Sequence, residues 1–368
     1  DYMLNPTKFY HERLDSLNNL LFKVNRQLKV SGMLRLSVFV LTILGIYLLY
    51  DNSDYIILVI LFSAILFIFL FSRHTDLNYQ KNRLQALISI NETELQVLGR
   101  KYYHLPDGNE FIDPGHFYSQ DIDLFGKGSF YQYCNRTAIA EGSKSLAALL
   151  TENNIENVID KQEAIKELRS IAEWRQEFSA VAGLIKTEIS SENLIGWLKK
   201  YQTFVPKLMK IFPNIFSVFS LAAIGLYYFN YLPGWGLLFW FFIGLGITGK
   251  YLRKVNILSQ NTSNLQNSFR QYQKLILLLE DMNFQARVLE KEKNNILENG
   301  IRVSKVLKQF SGMLNAFEQR NNMLFGVLAN GFLLWDLRYA CDIEKWIGIH
   351  GKNVERWLNT IAIFDAYN

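Results

Sequence analysis

Two cysteines, five histidines and six prolines are all that the 368 residues contain of these types, and each shortage closes off a class of chemistry. Cys134 and Cys341 lie far apart in helix-like surroundings, which leaves neither a disulfide framework nor a thiolate metal site and fits a reducing cytoplasmic setting. His11, His74, His104, His116 and His350 never fall three or four apart, so no histidine pair shares a helix face as metal ligands do. A phosphate loop is lacking too. Gly126-Lys127-Gly128-Ser129 does not have the Gly-x-x-x-x-Gly-Lys-Ser/Thr spacing and follows no strand, so it reads as a turn entering a helix, with Ser129 near the cap. No acid–base pair or nucleophile can be assembled from what is left, and the chain is read as carrying no catalytic, cofactor or metal site of its own. A cleavable leader is also unrecognisable, because a polar stretch over 5–30 precedes the first apolar block; that block is expected to stay in the mature chain.

What the chain does have is apolar sequence gathered in blocks. Residues 36–50 and 55–71 are separated only by Asp51, Asn52, Ser53 and Asp54. Fourteen residues of 55–71 are Leu, Ile, Val or Phe, which at about 0.3 to 0.6 kcal/mol each favours insertion by roughly 4 to 8 kcal/mol. A second pair, 215–232 and 235–251, is joined at Pro233-Gly234, where Tyr227, Tyr228, Tyr231, Trp235 and Trp240 gather as aromatic rings do at a membrane interface. Each block is near the lower length limit of a span, and four spans in two hairpins are expected.

The net charge of +5 is placed where it sets an orientation. Lys23, Arg26, Lys29 and Arg35 precede the first span, and Arg73, Lys81 and Arg83 follow the second. Lys199, Lys200, Lys207 and Lys210 precede the third, and Lys250, Arg253 and Lys254 follow the fourth. Neither hairpin turn holds a basic residue, so the positive-inside bias puts both turns outside and both termini and the large remainder in the cytoplasm. The second basic group suits lipid headgroups at the interface better than nucleic acid.

Between the blocks the sequence is helical in character. Leu258, Leu265, Tyr272, Leu279 and Ala286 recur every seven residues with Phe269 and Ile276 interleaved, a row able to pair with a partner helix. Thr137 can cap a turn, Gly142 permits a close approach, and Arg136 sits where a guanidinium holds several carbonyls or a carboxylate at once. Asp336, beside Trp335 in an apolar helix, needs a structural hydrogen bond or an arginine from a neighbouring helix.

The stretch from Asp121 to Asn135-Arg136-Thr137, followed by Ala138-Ile139-Ala140-Glu141-Gly142-Ser143, resembles the start of the core domain of the MutS family of DNA mismatch repair ATPases. In that family a helix ends in an Asn/Asp-Arg-Thr turn and a second helix opens after it. Ile159-Asp160-Lys161-Gln162-Glu163 looks like the family's loop into a helix around an Arg/Lys-Gln pair. Residues 301–347 form a long apolar-periodic segment containing Asn330-Gly331 and Trp335-Asp336, and the run 354–367 is similar to the family's helix leading into its ATPase domain. The resemblance implies structural roles for Asn135, Arg136, Thr137, Gly142, Gln162, Trp335 and Asp336. It further implies a pair of lever helices whose DNA clamp is replaced by the second hairpin, an ATPase domain after 368 using ATP and Mg, and a homodimer formed through the full-length protein. DNA binding comes from the family name alone, since the mismatch-reading domain is not recognisable and membrane helices take its place.

The expected fold is all-α: four transmembrane helices in two hairpins plus a cytoplasmic MutS-core-like helical domain with long lever helices. Its segments are an amphipathic helix over 1–32, hairpin 1 over 33–72, a helix and irregular linker over 73–120, and the first core part with the outgoing lever over 121–210. Hairpin 2 follows over 211–251, then a returning coiled-coil helix over 252–300 and the second core part over 301–368. The functional expectation is a membrane-anchoring relay between an ATPase domain and the bilayer. The alternative is a membrane-bound coiled-coil scaffold that recruits a protein partner without ATP coupling or DNA binding.

Overall fold

The structure is a computed structural model that describes residues 5–50, 53–152, 156–185, 190–263, 265–298 and 300–368. Fifteen α-helices and one short antiparallel strand pair, Leu297–Glu298 with Ile301–Arg302, account for nearly all regular structure among the described residues, so the fold is all-helical. The chain divides into two compact units. One comprises Asp1–Ala138, Leu149–Glu152 and Leu168–Leu184, the other Ile139–Ala148, Asn153–Glu167 and Ile185–Asn368.

The first unit is built on α1 (Pro6–Leu48) and α2 (Ser53–Leu98). Pro6 opens α1 and the Asn5 side chain accepts from the Lys8 N–H at 3.0 Å, a cap that fixes where the helix begins. Tyr10, Leu17, Val24 and Ser31 are buried at intervals of seven on α1, and Leu77, Leu84 and Asn91 at intervals of seven on α2. That spacing keeps two helices in register along a coiled-coil seam. Beyond Ser31 the same helix changes solvent: no residue of 36–48 or 55–71 is buried, with Leu36 65% and Phe62 70% exposed. The hairpin turn at Asp51 and Asn52 lies outside the described residues.

An irregular segment over 99–129 leads to α3 (Phe130–Cys134), α4 (Ala140–Thr151), α5 (Val158–Ser170) and α6 (Ala172–Gly183). The segment wraps Tyr131, whose ring meets Phe125 at 5.3 Å and Phe111 at 5.7 Å. Gly108 takes φ 72° there, and a Cβ on it would strike that ring. In the Gly126–Ser129 turn the Gly128 N–H donates to Gln132 Oε1 at 2.7 Å, while Ser129 caps α3 by accepting from the Gln132 N–H at 3.1 Å. α6 packs on α2: Ala180 joins Leu17, Val24, Leu84 and Leu87 in the core, Asn91 and Gln176 exchange amide hydrogen bonds, and Glu177 takes both nitrogens offered by Arg83.

In the second unit α7 (Ser191–Lys200), α8 (Phe212–Tyr228) and α9 (Gly234–Thr262) are followed by α10 (Leu265–Asp281), α11 (Arg287–Asn294) and α12 (Val303–Glu318). The chain ends in α13 (Met323–Leu333), α14 (Trp335–His350) and α15 (Val354–Tyr367). Its core is aromatic. Phe310 of α12 stacks on Trp346 of α14 at 3.8 Å and meets Phe269 of α10 edge-on at 4.8 Å. Leu334, fully buried between α13 and α14, adopts φ 49° and ψ 43°, a left-handed conformation that leucine rarely takes.

Two expectations are corrected. The returning arm over 252–300 is not one helix: it breaks after Thr262 and again after Asp281. Leu258, Leu265, Tyr272, Leu279 and Ala286 are all buried, but α10 turns its share of that row onto α12 of the same chain, so the spacing reports a core face. No long outgoing lever precedes hairpin 2 either, since α7 has ten residues and an extended stretch with Pro206 separates it from α8.

Among the described residues three helices are long and apolar enough to cross a membrane: Pro6–Leu48, Tyr55–Leu98 and Gly234–Thr262. The expected third span is carried by α8, whose 17 residues rise roughly 25 Å and fall below that length. Pro213 starts it early and the turn before Pro233 ends it.

Candidate functional site

The place where the chain enters hairpin 2 is organised by one carboxylate. α14 buries a stripe of Leu337, Ala340, Cys341, Glu344 and Ile347 at helical spacing, and Glu344 is the acid within it. Its Oε1 accepts from the Phe204 N–H at 2.7 Å and the Tyr201 hydroxyl at 3.1 Å, and its Oε2 from the Val205 N–H at 3.2 Å. These donors belong to the extended stretch that runs from α7 into α8, where no helix supplies partners for the backbone. From the far side Lys254 of α9 lies 6.0 Å over the Phe204 ring and attracts the same carboxylate. Glu344 thus ties α14 to the stretch entering α8, with Lys254 of α9 close enough to attract it.

Burial pushes the Glu344 carboxyl above the ordinary glutamate range, opposed by the Phe204 and Val205 N–H groups, the Tyr201 hydroxyl and Lys254. Burial and the adjacent carboxylate push Tyr201 far up, so it remains a donor. Desolvation also raises Asp342 and Cys341, the thiol pushed further up by the Asp342 and Glu344 carboxylates.

α13 completes this end of the unit. Its eleven residues contain no charge, and it packs on both α8 and α9. Gly331 meets Gly244 of α9 backbone to backbone, and a side chain on Gly331 would run into Phe241. Phe332 lies 5.2 Å from Phe241, and Ser217 of α8 donates to the Leu333 carbonyl at 3.5 Å. These contacts fall on Ser217 in the first half of α8 and on Phe241 and Gly244 in the first half of α9. The opposite face of α13 is bare, with Met323 81% and Leu324 78% exposed.

The residues singled out by sequence fall at several separate places. Asn135 Oδ1 accepts from the N–H and hydroxyl of Thr137 at 3.0 and 2.7 Å, closing the turn. Arg136 pairs with Glu94 at 2.5 Å and donates to the Tyr133 and Asn135 carbonyls. Gly142 opens α4 against Asp365 of α15, whose buried carboxylate accepts from the Ile139 N–H at 3.0 Å and fills the space a Cβ would need. Gln162 is exposed on α5. Trp335 donates to the Ala316 carbonyl at 2.8 Å. Asp336, 1% exposed, is paired with Arg320 at 2.9 Å, and Arg320 also donates to Asn256 of α9 at 2.8 Å.

Of the basic residues flanking hairpin 2, Lys199 pairs with Glu355 at 2.5 Å and Lys250 lies over Tyr251 at 5.9 Å. Lys200, Lys210, Arg253 and Lys254 are exposed, and the Lys207 side chain lies outside what the structure describes. Sequence reading missed Glu344, Asp365 and Arg320. The two acids carry a legible signal, an acidic residue set into a buried stripe at helical spacing, which marked Asp336 and applied equally to them. No protein-family model, curated protein or solved structure matches the chain.

Proposed function

We propose that the chain is a membrane-anchored mechanical relay in which the helices α14 and α15 act on hairpin 2. The observation that carries this reading is the Glu344 junction: one buried side chain on α14 grips the strand of chain entering α8, faces Lys254 at the exit of α9, and lies on the helix that follows the α13 contact. In this reading α8 crosses the bilayer as a fourth span despite its length, with Tyr227, Tyr228, Tyr231 and Trp235 at the outer interface, and the bulk of the chain is cytoplasmic. The resemblance to the MutS core supplies the driver. An ATPase domain continuing from α15, fed by ATP and Mg, would move α15, which holds α4 through Asp365 and rests on α7 beside the junction.

The coiled-coil scaffold reading has less to support it, because α10's share of the seven-residue repeat packs on α12 of the same chain. Spin labels at Lys210 and Lys250 of the longest native polypeptide, reconstituted in lipid nanodiscs, give the test. Nucleotide is expected to shift their separation, and Glu344→Ala to abolish that shift while leaving nucleotide hydrolysis in place. An unchanged separation in the native protein would refute the relay.

A further inference from the structure

The first unit holds a cleft of about 660 Å³ between α1 and α2, placed where both helices leave their apolar blocks. On α1 its wall is Phe22, Asn25, Arg26 and Lys29, a single helical stripe; on α2 it is His74, Asn78 and Lys81, another. No Asp or Glu lines it. Arg83, one turn further on, is neutralised by Glu177, whereas Arg26, Lys29 and Lys81 form no ion pair among the described residues. His74 Nδ1 is buried without a hydrogen-bond partner there. A second groove, of about 300 Å³, shares Arg26 and continues toward the apolar blocks along Val30, Leu34, Leu70 and Leu77, with Arg73 at its edge.

Concentrated positive charge without acids calls for an anion, and an apolar groove leading away from the same arginine calls for a hydrocarbon chain. We infer that this pair of clefts is a binding site for an anionic phospholipid, its phosphate held by Arg26, Lys29 and Lys81 and one acyl chain lying along Leu34 and Leu70. A free phosphate satisfies only the first half of that description. The inference rests on the membrane reading of hairpin 1.

The test uses the full chain in non-ionic detergent, titrated separately with phosphatidylglycerol, phosphatidylcholine and inorganic phosphate, and followed by native mass spectrometry and by thermal midpoint. Phosphatidylglycerol is expected to bind at one saturable site at least tenfold more tightly than the other two. Removing charges in R26Q/K29Q/K81Q is expected to weaken it about fivefold per charge. The control K305Q/K308Q/K352Q, which removes equal charge from exposed positions in the second unit, should leave it within about twofold. Leu34→Trp should weaken the lipid and leave phosphate unaffected. If the triple variant misfolds, Lys81→Gln alone carries the comparison. Equal affinity for phosphatidylcholine, an equal loss in the control, or phosphate binding as tightly as the lipid would each overturn the site. A chain that stays monodisperse without detergent would instead overturn the membrane reading, which the same preparation reports before any lipid is added.

Discussion

The two hairpins are built on opposite plans. In hairpin 1 the helices α1 and α2 run unbroken from an apolar zone into a buried seam, and no residue of 36–48 or 55–71 is buried. In hairpin 2 a short helix, α8, is paired with the longer α9, and other elements seize them: α13 by close backbone contact, α14 through Glu344, and the turn after α12 through Arg320 and Asn256. A continuous rod anchors, and a gripped pair of helices can be moved. In the proposed relay, holding would fall to one hairpin and transmission to the other.

The grip should break most severely at Arg320. Arg320→Ala leaves Asp336 charged and buried without its partner, a loss of about 3 to 5 kcal/mol, expected as a collapse of the thermal midpoint in detergent. The anchor should break at its seam and not in its apolar zone. Leu17→Ala opens a cavity beside Leu84 and Ala180 and should lose about 2 to 5 kcal/mol, while Leu44→Ala, which faces away from protein, should change urea unfolding little. Next comes Gly331→Ala, whose methyl collides with Phe241. Overpacking of that kind costs about 1 to 3 kcal/mol, and faster proteolysis between α12 and α14 would reveal α13 letting go.

The Glu344 junction sharpens the comparison through pH. Its carboxyl is raised in the folded protein, so its contribution to stability is fully present below about 4.5 and is lost as pH rises through the folded value. Glu344→Gln keeps an acceptor for the Phe204 and Val205 N–H groups and removes the buried charge. Its midpoint relative to the native protein should therefore improve from pH 4 to pH 8, and a flat difference would contradict the burial of an ionised group. The smallest effect belongs to hairpin 1: Gly32 has open space around its Cβ position, so Gly32→Ala should raise stability by about 0.5 to 1 kcal/mol.

Much of the architecture is legible in the sequence because hydrophobic runs and helical period are local properties. The apolar blocks locate the long exposed helices, and the spacing around Asp336 demands the partner it finds in Arg320. What escapes is whatever depends on the chain turning back. The seven-residue row continues straight through the breaks after Thr262 and Asp281, since a kink between buried positions leaves their spacing unchanged. α13 reads as core because a run of eleven uncharged, mostly apolar residues looks the same whether protein or lipid covers it. The seam of α1 and α2 was legible at Tyr10, Leu17 and Val24, yet the stretch reads first as an amphipathic surface helix because its partner lies beyond the whole hairpin.

Leu334 fixes the elbow between α13 and α14. A glycine at that backbone angle would be a free swivel, whereas a leucine held left-handed, at about 1 to 2 kcal/mol, is locked by the walls around its side chain. It sets the elbow between α14, which bears Glu344, and α13, which packs on α8 and α9. In the proposed relay, a rotation of α14 would reach α8 and α9 through that elbow as a displacement of α13.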